Sequence, residues 1–342
     1  MAGPAKATTF VTGAAGFLGL ELVRVLLARG HQVSGLTESV EGAQELRRAG
    51  AVPVMGDLLN PGQWQDEVAA DWVFHLPPRP QPGQRLTRKR AEAIARAGAL
   101  MDTHLFDAVA AGATRRTVYV ADVNCYGAIG QRPINEDEPL RPTTWGRYLM
   151  PALNRVDGYA VAGLPIVTAF PGWIYGDGAW FRERVIDPIM AGRRLLQIGK
   201  AGPWVSPIHV HDCARALVHL AEHGEAGGRY FVVDGEPIRM DEFAETFARL
   251  ANRALRVWRV PAAAARLFVG SVLADDVRAD AVFSNIRLRG IGFRFRYPTL
   301  ERGLRQVLGL EQKEEHGDWA EEASAFPQRN RSSQMKEKVK QS

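Results

Sequence analysis

A chain of 342 residues, 46% hydrophobic and 24% charged, can bury a large core, and its composition excludes wholesale disorder. The formal net charge of +5 is carried by arginine, with seven lysines among 43 cationic residues; we read it as compositional bias, since the basic run at 79–96 lacks the interleaved aromatics of a nucleic-acid groove. Two cysteines, Cys125 and Cys213, exclude a disulfide scaffold and no Cys-x-x-Cys pattern points to a metal, while the missing signal-peptide and membrane-length apolar runs lead us to expect a soluble cytoplasmic protein.

In chain order, short apolar runs predict strands at 8–11, 32–36, 52–55, 72–76, 117–121 and 166–170. Helical spacing covers 17–28, 91–111 and 144–162. This alternation predicts an α/β, doubly wound Rossmann parallel sheet. After Phe170 glycine and proline cluster through 171–207, and helices are expected at 211–222, 241–250 and 261–273. We read residues 1–170 as a dinucleotide-binding domain whose sheet is completed by later segments. Residues 171–310 then form a smaller C-terminal substrate lobe with closing helices. Residues 311–342 are polar and mixed in charge, and read as a flexible tail.

The first strand runs into Thr12-Gly13-Ala14-Ala15-Gly16-Phe17-Leu18-Gly19, and a helix follows. Glycines at this spacing let backbone amides approach a pyrophosphate at a helix N-terminus. The strand before and the helix after are the context such a motif needs.

The Gly-x-x-Gly-x-x-Gly spacing resembles the short-chain dehydrogenase/reductase superfamily, in its extended and atypical branches. These include NAD-dependent epimerases and dehydratases of nucleotide sugars, and reductases of dihydroflavonol and 3β-hydroxysteroid type. Gly56-Asp57-Leu58, His75-Leu76-Pro77-Pro78, Pro171 to Gly178, Ser206 to Ala214 and Arg296 to Leu304 match further family segments, over about residues 7–308. The resemblance implies cofactor contacts at Gly13, Ala15, Gly16, Phe17, Leu18, Gly19, Asp57, Leu58, Leu76, Pro77 and Pro171. It also puts Thr37 and Glu38 at the end of the second strand, where the adenosine ribose is read. A carboxylate there repels a 2′-phosphate, so NAD(H) is favoured and NADP(H) stays open.

The same resemblance implies a catalytic Ser, Tyr and Lys, and this chain departs from it. Asp122 stands at the Ser position, Trp145 at the Tyr position and Leu149 at the Lys position; no lysine lies between Lys89 and Lys200. An indole cannot supply a phenolic proton and leucine carries no charge. Two groups are candidate replacements. Tyr148 lies one helical turn from Trp145, and a packed tyrosine is the alternative reading. Asp122 is a candidate acid or base, and a strand-end carboxylate capping local amides is the alternative. Asn124 could orient a carbonyl or hydroxyl.

Trp145, Trp173, Trp180 and Trp204 fall in segments that surround the family's substrate cleft, and aromatic walls suit an apolar, ring-bearing ligand. The expectation is an NAD(H)-binding enzyme acting on a mid-sized hydrophobic oxygenated small molecule, by redox or by a lyase, isomerase or cyclase step. The rival is a non-catalytic NAD(P)-binding sensor or structural subunit. No metal, nucleic acid or membrane partner is expected, and a homodimer stays open.

Overall fold

The computed structural model describes residues 6–310 except 79, 81–84, 200–201 and 277–279. The expected tail at 311–342 and Arg79 of the basic run lie outside the described residues. Seven parallel strands form the central sheet: β1 (Thr8–Thr12), β2 (Gln32–Thr37), β3 (Val52–Met55), β4 (Trp72–His75), β5 (Arg116–Val120), β6 (Ile166–Pro171) and β7 (Arg229–Val232). Their order is β7-β6-β5-β4-β1-β2-β3. Every residue of β4 and of β6 is buried, as a parallel strand covered on both faces requires. On the β3 edge, Val52 is exposed.

Five helices flank the sheet: α1 (Phe17–Ala28), α2 (Val40–Ala49), α3 (Arg88–Ala111), α4 (Thr144–Val161) and α5 (Val210–His223). On one face α1 and α5 pack together through Leu22, Val23, Leu26, Ala214 and Leu217. On the other, α3 and α4 meet through Phe106, Leu153 and Val156. The strand order reverses between β1 and β4. In such sheets ligands bind at the carboxyl ends of the strands beside that reversal.

The six expected strands are present to within one residue at each end. In the sheet and the helices that flank it, two elements were not foreseen. Helix α2 has few apolar positions; Ser39 caps its start by accepting the Gly42 amide at 3.0 Å, and Gly50 closes it at φ +94°. Strand β7 is four residues long and joins the sheet beside β6 across a long sequence gap. One expectation is corrected: residues 261–273 do not form one helix. Gly270, at φ +87°, separates Ala265–Val269 from Leu273–Asp276. The Leu86 backbone fills the break, donating to the Val269 carbonyl and accepting from the Val272 amide. A side chain at Gly270 would meet the Leu86 backbone at 2.5 Å.

The later segments build a lobe with its own apolar centre, including Tyr175, Phe181, Phe243, Phe247, Leu300 and Leu304. The stretch expected to be loose holds short paired strands: Trp173–Tyr175 with Pro207–His209, Leu195–Ile198 with Val257–Val260, and Trp204–Val205 with Ile238–Arg239. No helix among the described residues is long and apolar enough to cross a membrane.

Candidate active site

The site begins where β1 ends. Gly13 takes a left-handed φ of +65°, and a Cβ there would lie 2.7 Å from the Leu76 carbonyl oxygen, so the turn passes directly over the end of β4. Gly19 is buried, and a Cβ on it would collide with the Gly13 carbonyl at 2.1 Å. Gly16, in contrast, is exposed and has ordinary extended dihedrals, φ −77° and ψ 172°. Its missing side chain leaves the start of α1 uncovered. No side chain caps α1 and no acid stands in its first turn. A helix start with uncapped amides beside exposed glycine is suited to an anionic group, so the residues present fit the pyrophosphate of a dinucleotide.

The loop after β2 carries the second determinant. Thr37 is buried, and a Cβ on Gly42 would sit 2.3 Å from its hydroxyl oxygen. Thr37 is thus tucked against the start of α2. Glu38 is exposed beside it, and Glu41 stands in the first turn of α2. After β3, Asp57 accepts the Leu59 amide and the Asn60 side-chain amide, each at 2.8 Å. Leu58 is packed with Phe10, Leu36 and Trp64, and its carbonyl bonds the His104 ring at 2.8 Å; its side chain belongs to the core. Leu76 and Pro77 are half-buried at the end of β4, and Pro171 is buried at the end of β6. Phe17 links the cradle to the lobe: a Cβ on Gly178 would fall 2.8 Å from its ring.

Beneath the cradle runs a buried polar chain that sequence reading missed. His75 Nε2 lies 2.8 Å from Asp102 Oδ1, and its Nδ1 lies 2.6 Å from the Thr12 hydroxyl. A carboxylate only accepts, so Nε2–H donates to Asp102, and in the neutral ring Nδ1 accepts from Thr12. Thr12 in turn accepts the Leu76 amide at 3.2 Å. Tyr119 donates to the other Asp102 oxygen at 3.5 Å. His75 and Asp102 are both at most 1% exposed, so they hold the ends of β1 and β4 and do not meet a ligand. The signal was legible: Asp102 is an acid on the same α3 face as the buried Leu105, Phe106 and Val109. Leaving a buried donor without its acceptor costs about 1–3 kcal/mol. Asp102→Ala should therefore lower unfolding free energy by about that amount, read by urea denaturation. A loss below about 1 kcal/mol would show the chain to be dispensable.

Asp122 follows β5 and caps the short turn Val123–Cys125, accepting the Asn124 amide at 2.9 Å. Its second oxygen receives the indole N–H of Trp145 at 3.4 Å. The structure thus brings together the groups at the expected Ser and Tyr positions. Trp145 is only 2% exposed, packed among Leu86, Ala91 and Val272 with Tyr148 and Leu149 against them. Tyr148 is half-buried, its ring stacked on the indole at 6.3 Å. Trp145 is therefore a packed plug of this wall and presents little open face.

The other tryptophans form a separate group. Trp173, 36% exposed, packs edge-on against Trp180 at 5.3 Å. Trp180 donates to the Ile174 carbonyl at 2.7 Å and meets Phe181 and Phe243, so it belongs to the lobe centre. Trp204 lies under the Arg239 guanidinium, its amide bonded to Asp280. His209 and His211 tie the lobe down. His209 meets Gln306, and burial pushes its pKa down to about 4. His211 bonds Glu21 of α1 at 2.6 Å, and this bond holds the Glu21 carboxyl below its usual range.

Fold and cradle together define a dinucleotide-binding protein of the doubly wound class. The family model of the NAD dependent epimerase/dehydratase family matches residues 9–233. The chain belongs to that family, whose members are NAD(P)-dependent oxidoreductases and epimerases. It is 29% identical over 270 residues to the 4-hydroxy-2-methyl-3-oxo-4-farnesyl-3,4-dihydroquinoline-1-oxide ketoreductase of Stigmatella aurantiaca, covering 75% of this chain and 77% of that one. It is 28% identical to a 3-beta-hydroxysteroid dehydrogenase of Mycolicibacterium neoaurum, over 73% and 72% of the two chains. A 3-diazoavenalumate denitrifying reductase of a Streptomyces species is 28% identical over 86% and 98%. Among solved structures, the Bacillus cereus UDP-glucuronic acid 4-epimerase with NAD shares the fold at TM-score 0.75 and 16% identity, covering 88% of this chain and 98% of that one. A human epimerase family protein with NADPH matches at 0.73 and 20%, over 88% and 99%.

Proposed function

We propose that this chain is an NAD(H)-dependent reductase or dehydrogenase of an apolar, ring-bearing ketone or alcohol, working without a Tyr/Lys pair. The observation that carries this reading is the half-buried Asp122 carboxylate at the end of β5, held in place by its own turn and by the indole N–H of the buried Trp145. The nicotinamide, when bound, supplies or takes the hydride. The cradle at Gly13 to Gly19 would hold the pyrophosphate, and Glu38 the adenosine ribose hydroxyls. That puts the other half of the dinucleotide toward β4 and β5. There Asp122 would accept a substrate hydroxyl proton or orient the oxygen, with Asn124 beside it and Trp173 at the rim. A carboxylate oxygen offers two lone pairs, so the Trp145 contact is compatible with that role. Tyr148 is the second group that could move the proton. The names of the relatives support a cyclic, largely apolar substrate over a nucleotide sugar. The test is nicotinamide oxidation with a panel of steroid-like and quinoline-like ketones beside UDP-sugars. Turnover of UDP-sugars alone would overturn the substrate class.

The burial of Trp145 favours a second reading, a dinucleotide-binding protein whose catalytic position is plugged. It would bind cofactor and turn over nothing in that panel.

Cofactor choice has its own expected result. Glu38 and Glu41 each repel a 2′-phosphate by on the order of 1 kcal/mol at the surface. NADH should bind at least about fivefold more tightly than NADPH, and Glu38→Arg should narrow or reverse the gap. Equal affinities by fluorescence titration at fixed salt would remove Glu38 as the determinant.

A further inference from the structure

On the far side of the α1–α5 pair, the last turn of α5 reads His219-Leu220-Ala221-Glu222-His223. Positions three and four apart on a helix face the same way. One donor atom from each of His219, Glu222 and His223 lies within 4.8 Å of the others. The two imidazoles lie 4.4 Å apart, and His223 Nε2 is 3.8 Å from Glu222 Oε2. We propose that these three side chains form a binding site for a divalent transition ion of the zinc type, separate from the dinucleotide cleft.

Two imidazoles and one carboxylate are the donor set of zinc sites that keep a fourth position for water, and imidazole donors disfavour magnesium and calcium. Tetrahedral zinc with bonds near 2.1 Å brings its donors about 3.4 Å apart. The present spacing therefore needs a side-chain shift of about 1 Å, which the exposed His223 can supply. His219 is already prepared. Its Nε2–H donates to the Ile291 carbonyl at 3.0 Å, which leaves Nδ1 as the lone-pair nitrogen. This is the outer bond that orients metal-bound histidines. The site also lies at the C-terminal end of α5, where the helix field favours a cation.

Arg29, at the end of α1, grips both Glu222 oxygens at 3.0 and 3.1 Å. A carboxylate can serve a guanidinium and a metal together, since each oxygen has two lone pairs. The bound ion would then tie three segments: the end of α1 through Arg29, the end of α5, and the Ile291 segment through His219. Its expected effect is on stability, because whatever binds only the folded state raises the unfolding transition.

The experiment uses untagged full-length protein, stripped with chelator, and titrates Zn2+ and Mg2+ separately by calorimetry. One Zn2+ per chain should bind with micromolar affinity while Mg2+ gives no heat. His223→Ala alters an exposed side chain and Glu222→Gln still accepts one of the two Arg29 hydrogen bonds, so both should fold. Each should weaken Zn2+ at least tenfold and cancel the Zn2+-induced rise in melting temperature. Wild-type Zn2+ affinity in both variants would overturn the site, as would failure of the wild type to bind at millimolar Zn2+.

Discussion

Gly16→Leu should abolish dinucleotide binding and leave the fold almost untouched. The two effects separate because Gly16 has dihedrals that any residue adopts. An added Cβ would meet only the Gly13 carbonyl, at 3.2 Å, a contact that a few tenths of an ångström relieves. Leucine is a poorer N-cap than glycine, at a cost of about 1 kcal/mol or less. In a domain this large that lowers the melting temperature by about 2–4 °C. Binding loses far more. A side chain over the first turn of α1 denies the pyrophosphate at least two charge-assisted amide bonds, worth about 1.5–3 kcal/mol each. Affinity should fall at least about a hundredfold. Gly13→Leu is the contrasting variant. It forces a branched side chain into φ +65° and into the Leu76 carbonyl at 2.7 Å, so folding and binding should fail together. Thermal melting with NADH titration reads both. Near-wild-type NADH affinity in Gly16→Leu would place the pyrophosphate elsewhere.

What made the central sheet legible was burial on both faces. A strand such as β6, with all six residues inside, must be largely apolar, and Gly19 of the cradle is demanded by the Gly13 backbone six residues earlier. Elements whose reasons lie far off in sequence were not legible. Strand β7 exists because β6 offers it an edge, and the break at Gly270 exists because Leu86 inserts there. Helix α2 has a charged surface and a narrow apolar stripe, so its periodicity is faint, while its Ser39 and Gly50 caps are plain in retrospect. At the site, the departures at 122, 145 and 149 are what the family resemblance implies. That Asp122 and Trp145 touch could not be read from the sequence, because an Asp–Trp bond has no sequence periodicity. Nor could the pairing of His75 with Asp102, which joins a strand end to the middle of a helix, although the place of Asp102 on the apolar face of α3 marks that acid as buried.

The double change Trp145→Tyr, Leu149→Lys places Tyr and Lys where the family resemblance implies them, and we propose that it does not create a better enzyme. Trp145 fills a closed space among Leu86, Ala91 and Val272. A smaller ring there leaves a void, at a cost of about 1–3 kcal/mol. Leu149 packs against two apolar clusters at once. A lysine there must carry its charge out to water or lose hydration, at a further cost of about 1–3 kcal/mol. Together these take a large share of a typical 5–15 kcal/mol stability, so the melting temperature should fall markedly and turnover of the native substrate should drop. Asp122→Asn is the gentler companion. The amide oxygen can still accept the Asn124 N–H while the Trp145 indole loses its acceptor, so stability should fall by about 1–3 kcal/mol. Turnover should fall at least about tenfold if Asp122 accepts or orients the proton, the low end for a positioned acid or base. Wild-type turnover in Asp122→Asn would reduce Asp122 to a cap of its turn. Tyr148→Phe would then become the decisive variant, since it removes only the hydroxyl and keeps the ring stacked on Trp145.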